Sequence, residues 1–241
     1  MKNIILIGAQ GSGKGTQAEK LKCALGLRHI SSGDLFRKAF EEKTVLGLKA
    51  KAYTDRGELV PDAITVAMVL EHIEQLGRAQ GILLDGFPRT IAQAEALDQG
   101  LLRSRRGIDM AIYLEVPRDE LQVRLSGRYI CRASQHIYNA STHPPKVAGI
   151  CDLDGSELYQ RSDDRGEAIQ KRLNTFFSET VQLLDYYDKQ QKLITINGKQ
   201  DIEHVYLDVL NSLGEEISQE EVIQILPWQF PTQPNTTLPR F

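Results

Sequence analysis

The sequence predicts an α/β protein, a parallel sheet flanked by helices and interrupted by two inserted modules. Three observations lead there. Short apolar runs alternate with stretches of helical periodicity, the first run ends in a glycine-rich loop that opens a helix, and two segments break the rhythm. Ile4-Ile5-Leu6-Ile7, ended by Gly8, reads as a strand buried on both faces. A helix follows over 14–23, with Ala18 and Leu21 on one side. Residues 81–85 form a second apolar strand stopped by Gly86 and Pro88. Residues 110–116 form a third, stopped by Pro117, and 193–196 a fourth, followed by Asn197-Gly198. Helices are expected over 62–78, 90–102, 118–125 and, in one long run, 163–190. Strands alternating with helices imply right-handed crossovers and a sheet covered on both sides.

Residues 31–60 carry short helical patterns without an apolar strand, and 127–164 scatter Gly, Pro, Cys and aromatics as a small loop-rich or antiparallel module does. The expected organisation is a core of 1–30, 61–126 and 165–213, insertions at 31–60 and 127–164, and a C-terminal extension at 214–241. In the extension, 217–226 could form a short amphipathic helix. Pro227, Pro231, Pro234 and Pro239 then forbid regular structure around Trp228 and Phe230. The chain has 241 residues and net charge −3, with 29 basic and 32 acidic side chains, which argues against broad nucleic-acid coating. No run reaches the length of a membrane span, and the start lacks signal-peptide architecture. Three cysteines, Cys23, Cys131 and Cys151, are too few for a disulfide scaffold, so a reducing, cytoplasmic setting is expected. Cys23, on a core helix, is expected as a small buried hydrophobe.

Gly8-Ala9-Gln10-Gly11-Ser12-Gly13-Lys14-Gly15-Thr16 lies between a strand and a helix. Phosphate wants convergent backbone N–H groups and a positive helix end, and the glycines let the chain turn close around it. Lys14 can reach the outer phosphates as a point charge. The strict motif has Ser or Thr directly after the lysine; here Gly15 intervenes before Thr16, which puts magnesium ligation by a loop hydroxyl in question. Arginines gather at loop and insertion borders: Arg37 after Ser32-Gly33-Asp34, Arg89 after Asp85-Gly86, Arg124 and Arg128 around Gly127, then Arg161 and Arg172 flanking Asp163-Asp164. Phosphoryl transfer needs positive charge spread over the phosphate oxygens, and a chain of net charge −3 must concentrate it locally. Asp85, ending its strand, could hold magnesium through water.

GAQGSGKGTQ, SGDLFR, GELVPD, DGFPRT, RLSGR, PPK and YQRSDD occur in the order found in the adenylate kinases, which the chain resembles over about residues 1–213. The family loop shares the Lys-Gly-Thr arrangement. The resemblance implies a P-loop nucleoside monophosphate kinase fold with two mobile insertions, 31–60 binding the monophosphate and 127–164 forming the lid of the long form. It implies the reversible reaction ATP plus AMP to two ADP, with magnesium, in a monomer that binds neither nucleic acid nor membrane. Gly11, Ser12, Gly13, Lys14, Gly15 and Thr16 would wrap the ATP phosphates, with Arg124, Arg128, Tyr138 and Gln200 completing the donor site and Arg124 stacking on its adenine. Ser32, Arg37, Val60, Gly86, Arg89 and Gln93 would hold AMP together with Arg161 and Arg172. Lys14, Arg89, Arg128, Arg161 and Arg172 would carry the catalysis, with Asp34 and Asp85 orienting the magnesium shell. Gly33, Gly57 and Gly127 stand at the insertion borders as candidate hinges.

Zinc-bearing relatives place four ligands where this chain has Cys131, Ser134, Cys151 and Asp154. Serine ligates zinc poorly, leaving Cys131, Cys151 and Asp154 plus a water or His136. A hydrogen-bonded polar cluster without zinc is the expectation, with structural zinc the alternative. Asn139 stands where many relatives have histidine. His143 is expected as a solvated loop residue. Two other readings stay open: a GTP:AMP enzyme, decided by backbone contacts near 197–200, and a nucleotide sensor that uses its C-terminal extension for binding.

Overall fold

The computed structural model describes residues 2–54, 60–77 and 79–215. The helix considered over 217–226, Trp228 and Gly57 lie outside the described residues. In chain order the elements are β1 (Asn3–Ile7), α1 (Lys14–Leu25), β2 (Arg28–Ser31), α2 (Ser32–Glu41), α3 (Val45–Thr54), α4 (Asp62–Glu74), β3 (Ile82–Asp85), α5 (Ile91–Arg103), β4 (Met110–Glu115) and α6 (Arg118–Ser126). The short strands β5 (Arg128–Cys131), β6 (Ile137–Asn139) and β7 (Leu158–Tyr159) follow. Then come α7 (Gly166–Thr175), α8 (Gln182–Asp188), β8 (Leu193–Asn197) and α9 (Ile202–Ser212).

Five strands make one parallel sheet in the order β2-β3-β1-β4-β8. β1 sits at its centre, with Ile5 opposite Leu84 of β3 and Ala111 of β4. All five β1 residues are buried, and the pleat divides Ile4 to Ile7 between two cores. Ile5 and Ile7 pack with Leu84, Leu97, Leu101, Leu173 and Tyr187 on one face. Ile4 and Leu6 pack with Ala18, Leu21, Val205 and Val209 on the other. Covering both faces is what lets a central strand be apolar from Ile4 to Ile7. The chain leaves β1 toward α1 while β3 and β4 lie on either side, so the carboxyl ends of these strands open a crevice where ligands of such sheets bind. A separate antiparallel sheet, β6-β5-β7, lies within residues 127–164.

Four readings need correction. β2 was not foreseen: among its residues only Ile30 is buried, because an edge strand has no need of an apolar run. α9, capped by the Asp201 carboxylate on Glu203 N and His204 N, was likewise not foreseen. The long helix expected over 163–190 is divided into a 3₁₀ turn at Ser162–Asp164, α7, a π-helical turn at Phe176–Thr180 and α8. Cys23 is exposed rather than buried. The buried side of α1 runs through Gln17, Ala18 and Leu21, and two residues beyond Leu21 the helix has turned roughly 200° toward solvent.

The larger core contains one unmatched polar atom. Tyr187 is fully buried and its hydroxyl has no hydrogen-bond partner among the described residues. Tyr187→Phe should therefore be neutral or stabilise by up to about 1 kcal/mol in urea unfolding, since the lost hydroxyl had no bond to lose. Leu84→Ala, in the middle of the same core, should cost about 2–5 kcal/mol.

Candidate active site

The loop after β1 takes the conformation its glycines allow. Gly11 and Gly13 have φ of +85° and +94°, and α1 begins at Lys14 directly after the second. A Cβ on Gly11 would lie 3.1 Å from Leu125 of α6, so the loop is packed as well as turned. Lys14 reaches back over it, donating from Nζ to Gly8 O at 2.6 Å and Ala9 O at 2.9 Å. Ser12 is buried, away from the cleft wall, and its hydroxyl finds no partner among the described residues. The loop lies on the floor of a cleft of about 1930 Å³, large enough for two nucleotides.

Arginines surround the loop, each held by a different device. Arg89 donates from Nε to Gly86 O at 2.8 Å, while its backbone N–H is accepted by Gln93 Oε1 at 2.7 Å. Gln93 is in turn fixed by Asp62, which also accepts the Thr90 hydroxyl at 2.8 Å. Arg128 makes a two-point contact with Asp164, Nε to Oδ2 at 2.7 Å and Nη2 to Oδ1 at 2.5 Å. Arg172 meets the same Oδ1 at 2.8 Å and Asp163 Oδ2 at 3.0 Å. Asp164 is fully buried, a carboxylate enclosed between two guanidinium groups. Arg161 and Arg37 also line the cleft. Arg37 pairs with Asp34, whose carboxylate thereby turns aside and does not line the cleft wall.

This crowding has electrostatic consequences. Desolvation lowers Lys14 to about 8, with Asp85 opposing and Arg89, Arg128 and Arg172 adding to the fall. Burial also lowers Arg89, helped by Arg172, and burial lowers Arg161, helped by Arg37 and Arg128. Burial works to raise Asp85, but His29, 3.7 Å away, together with Lys14 and Arg89 holds it below the ordinary carboxylate range. Asp85 thus remains anionic beside the loop.

The other expected contacts are distributed around the cleft. Ser32 lines it and donates to Gly86 O at 2.8 Å, and Val60, buried, lines the same side. Gln200 lines the opposite end but spends its amide on Asn197 O and Asp208. Asn139 donates to Arg124 O at 2.9 Å and accepts from Ser141 N and Thr142 N, which leaves its side chain committed to the local turn. Tyr138 lines the cleft, and its hydroxyl accepts from Asp152 N at 2.8 Å. His143 is exposed, yet its ring stacks on Tyr138 at 5.5 Å. Ile137 of β6 lies above the loop, 3.7 Å from where a Gly15 Cβ would be. Reasoning from sequence missed Glu120, Asp201 and His204 on the cleft wall; only the helical spacing of Glu120 to Arg124 carried a usable signal.

The expectation of a metal-free polar cluster in 127–164 is overturned. Cys131, His136, Cys151 and Asp154 bring one ligand atom each to within 4.8 Å of one another. His136 Nδ1 is 3.3 Å from Cys151 Sγ and 3.6 Å from Asp154 Oδ2, and Cys131 Sγ is 3.2 Å from Asp154 Oδ2. A tetrahedron with metal–ligand bonds of about 2.0–2.3 Å has edges of about 3.3–3.8 Å, close to these separations. Of the two candidates for the fourth place, a water or His136, the histidine is the one that comes within reach. The turn through Gln135, at φ +58°, returns His136 to the fourth corner. Burial works to raise the Cys151 thiol, but hydrogen bonds from Tyr138, His136 and the backbone of Leu153 and Asp154 bring it below its ordinary value, as a thiolate ligand requires. The site is a candidate for structural zinc.

A glycine loop at the switch point of a parallel sheet serves a protein that holds nucleoside polyphosphates. The ring of arginines around it serves one that moves a phosphoryl group. Among the described residues no helix is long and apolar enough to cross a membrane. The family model described as Adenylate kinase matches residues 6–192. The chain is 49% identical to an adenylate kinase of Bacillus subtilis (strain 168) over 212 residues, 88% of this chain and 98% of the relative. It is 50% identical to one of Carboxydothermus hydrogenoformans over 210 residues, covering 87% and 98%. With one of Staphylococcus aureus (strain Mu50) it shares 49% over 211 residues, covering 88% and 98%. The chain belongs to the adenylate kinase family.

The cluster within residues 127–164 makes a prediction independent of catalysis. The purified protein should carry zinc in stoichiometric amount by elemental analysis. Chelation, or His136→Ala, should remove the metal and lower Tm by about 5–10 °C, a loss of the order expected when a small module gives up its bound ion.

Proposed function

We propose that the cleft carries the family reaction, ATP plus AMP to two ADP and back, through Lys14, Arg89, Arg128, Arg161 and Arg172. The observation that carries this reading is the convergence of Lys14, Arg89, Arg128 and Arg172 on the wall of one cleft. Such density of cations costs free energy in the empty protein and is relieved when phosphate oxygens enter. ATP would lie along Gly11–Thr16 with its base toward Arg124 and Gln200. AMP would lie toward Ser32, Arg37, Val60, Gly86 and Gln93. The transferring phosphoryl group then falls between Lys14 and the Arg128–Asp164–Arg172 cluster.

Asp85, anionic and on the cleft wall, suits a magnesium shell, and Asp34 would have to leave Arg37 to join it. Magnesium bound with ATP would neutralise charge on the phosphates. The protein residues hold and orient. No side chain is needed as a covalent nucleophile, because proximity and fixed charge suffice for in-line transfer. Residues 31–60 and 127–164 are proposed as the monophosphate-binding and lid domains, and the core as 1–30, 61–126 and 165–213, in a cytoplasmic protein. Ile137 over Gly15 supports a lid that roofs the loop and keeps water from the phosphoryl group.

The deciding assay is ADP formation from Mg-ATP and AMP, with GTP as alternative donor and CMP and UMP as alternative acceptors. Transfer confined to ATP and AMP supports the reading. Preference for GTP, or tight nucleotide binding without transfer, overturns it. Arg89→Ala should lower kcat/KM by about 10²- to 10³-fold, as loss of a fixed donor to developing charge does.

Lys14 sets the pH dependence. Its charged form binds phosphate and its pKa in the free enzyme is lowered to about 8, so kcat/KM for ATP should fall as pH rises through about 8. Bound phosphate favours the charged lysine, so the corresponding limb of kcat should lie at higher pH. A free-enzyme limb appearing only near the ordinary lysine value would contradict the assignment.

A further inference from the structure

We propose that Glu120 is a positioning residue for the donor nucleotide, fixing the plane of the Arg124 guanidinium on which the donor base rests. This deepens the donor-site reading above and depends on it. Glu120 and Arg124 lie one turn apart on α6 and both line the cleft. Arg124 donates from Nε to Glu120 Oε1 at 2.9 Å and from Nη1 to Gly198 O at 3.0 Å. The two side chains are 18% and 29% exposed, well removed from the open helix surface where such pairs are mobile.

Guanidinium donors all lie in one plane. Two bonds at different edges of the group therefore fix the orientation of that plane and engage neither face. A planar base can then stack on a preset surface. The Gly198 acceptor is firmly seated. Gly198 N donates to Glu115 O at 2.8 Å, and a Cβ on Gly198 would come within 2.7 Å of Val116 Cγ2, so the turn bearing its carbonyl is pressed against β4. Asn139 ties down Arg124 from the other side by donating to its backbone oxygen at 2.9 Å. With Gly198 alone, the guanidinium could rotate about a single bond; the carboxylate removes that freedom. A carboxylate near a polyphosphate would be repulsive unless matched, and Arg124 matches it.

The test compares Glu120→Leu, Glu120→Gln, Arg124→Ala and the double variant Glu120→Leu/Arg124→Ala in the full chain. Steady-state kinetics are measured with ATP and AMP, and calorimetric binding with ATP and with inorganic tripolyphosphate, which has no base. Glu120→Leu should raise KM for ATP about 5- to 20-fold, with kcat and KM for AMP within about twofold. ATP binding should weaken while tripolyphosphate binding does not change. Glu120→Gln, which keeps an acceptor for Nε, should stay within about threefold of the parent. The double variant should be no worse than Arg124→Ala, because the glutamate acts through the arginine.

Several outcomes overturn the proposal. One is an unchanged KM for ATP in Glu120→Leu while Arg124→Ala raises it; that leaves the donor site intact and reduces Glu120 to a helix-surface partner. Others are additive effects in the double variant, or equal weakening of ATP and tripolyphosphate. If Arg124→Ala itself leaves ATP binding unchanged, the donor-site reading fails and the proposal fails with it. Should Glu120→Leu not fold, Glu120→Ala is measured in its place, with the same expectations.

Discussion

Lys14, Arg89, Arg128 and Arg172 share one cleft of a chain whose net charge is −3, and their mutual repulsion is the constraint that much of the site answers to. Left alone, four such charges would drive the loop, α7 and the 127–164 segment apart. Carboxylates oppose this from within, Asp163 at Arg172 among them. Asp164, fully buried, joins Arg128 to Arg172, and Asp85 faces Lys14 and Arg89. Buried ion pairs contribute little net stability once desolvation is counted. Their effect here is positional: they set the arginines at fixed places with positive charge left over for a polyanion. The cleft is complementary to a state that exists only when phosphates are bound.

That arrangement needs a rigid support, and the sheet supplies it. β1 is buried at every position and separates two cores, so the loop that leaves it has little freedom at its root. Leu6 of β1 pairs with Asp85 of β3, which sets the carboxylate at the same level as the start of the phosphate loop. Stability resides in the apolar layers above and below the sheet, and chemistry at the edge where the strands end. Because the two are spatially separate, the edge can carry unfavourable charge without unfolding the domain.

The sequence exposed most of this support because its signals were local. Buried central strands announce themselves as apolar runs, and the phosphate loop as glycines around Lys14. The edge strand β2 was invisible because Arg28-His29-Ile30-Ser31 buries only Ile30. The break at the π-helical turn of Phe176–Thr180 left no mark because the apolar spacing continues through it. At the site, residue types pointed to the arginines, but the partners that hold them are remote in sequence. Asp164 lies 36 residues from Arg128, and Gly198 lies 74 from Arg124. The metal cluster was misjudged for a related reason. Reading at fixed spacings left the fourth place between a water and His136, and only the left-handed turn at Gln135 shows that His136 reaches it. Spacing along a chain specifies ligands only when the turn geometry between them is known.

The same cluster explains how so slight a module can keep its shape. The sheet of β5, β6 and β7 has strands of four, three and two residues, and its buried apolar group is Cys131, Tyr138, Cys151 and Leu158. So small a core cannot offset the entropy of ordering nearly forty residues, and modules of this size ordinarily need a metal or a cross-link. Two of its four core residues are themselves cysteines of the candidate metal site, so core and site are one structure. Tyr138 extends that structure into the cleft. Its hydroxyl is fixed by Asp152 N beside Cys151, its ring stacks on His143, and the residue lines the cleft. The neighbouring Asn139 binds the backbone of Arg124. The geometry that seals the inside of the module is thus continuous with the geometry that shapes the cleft beside Arg124.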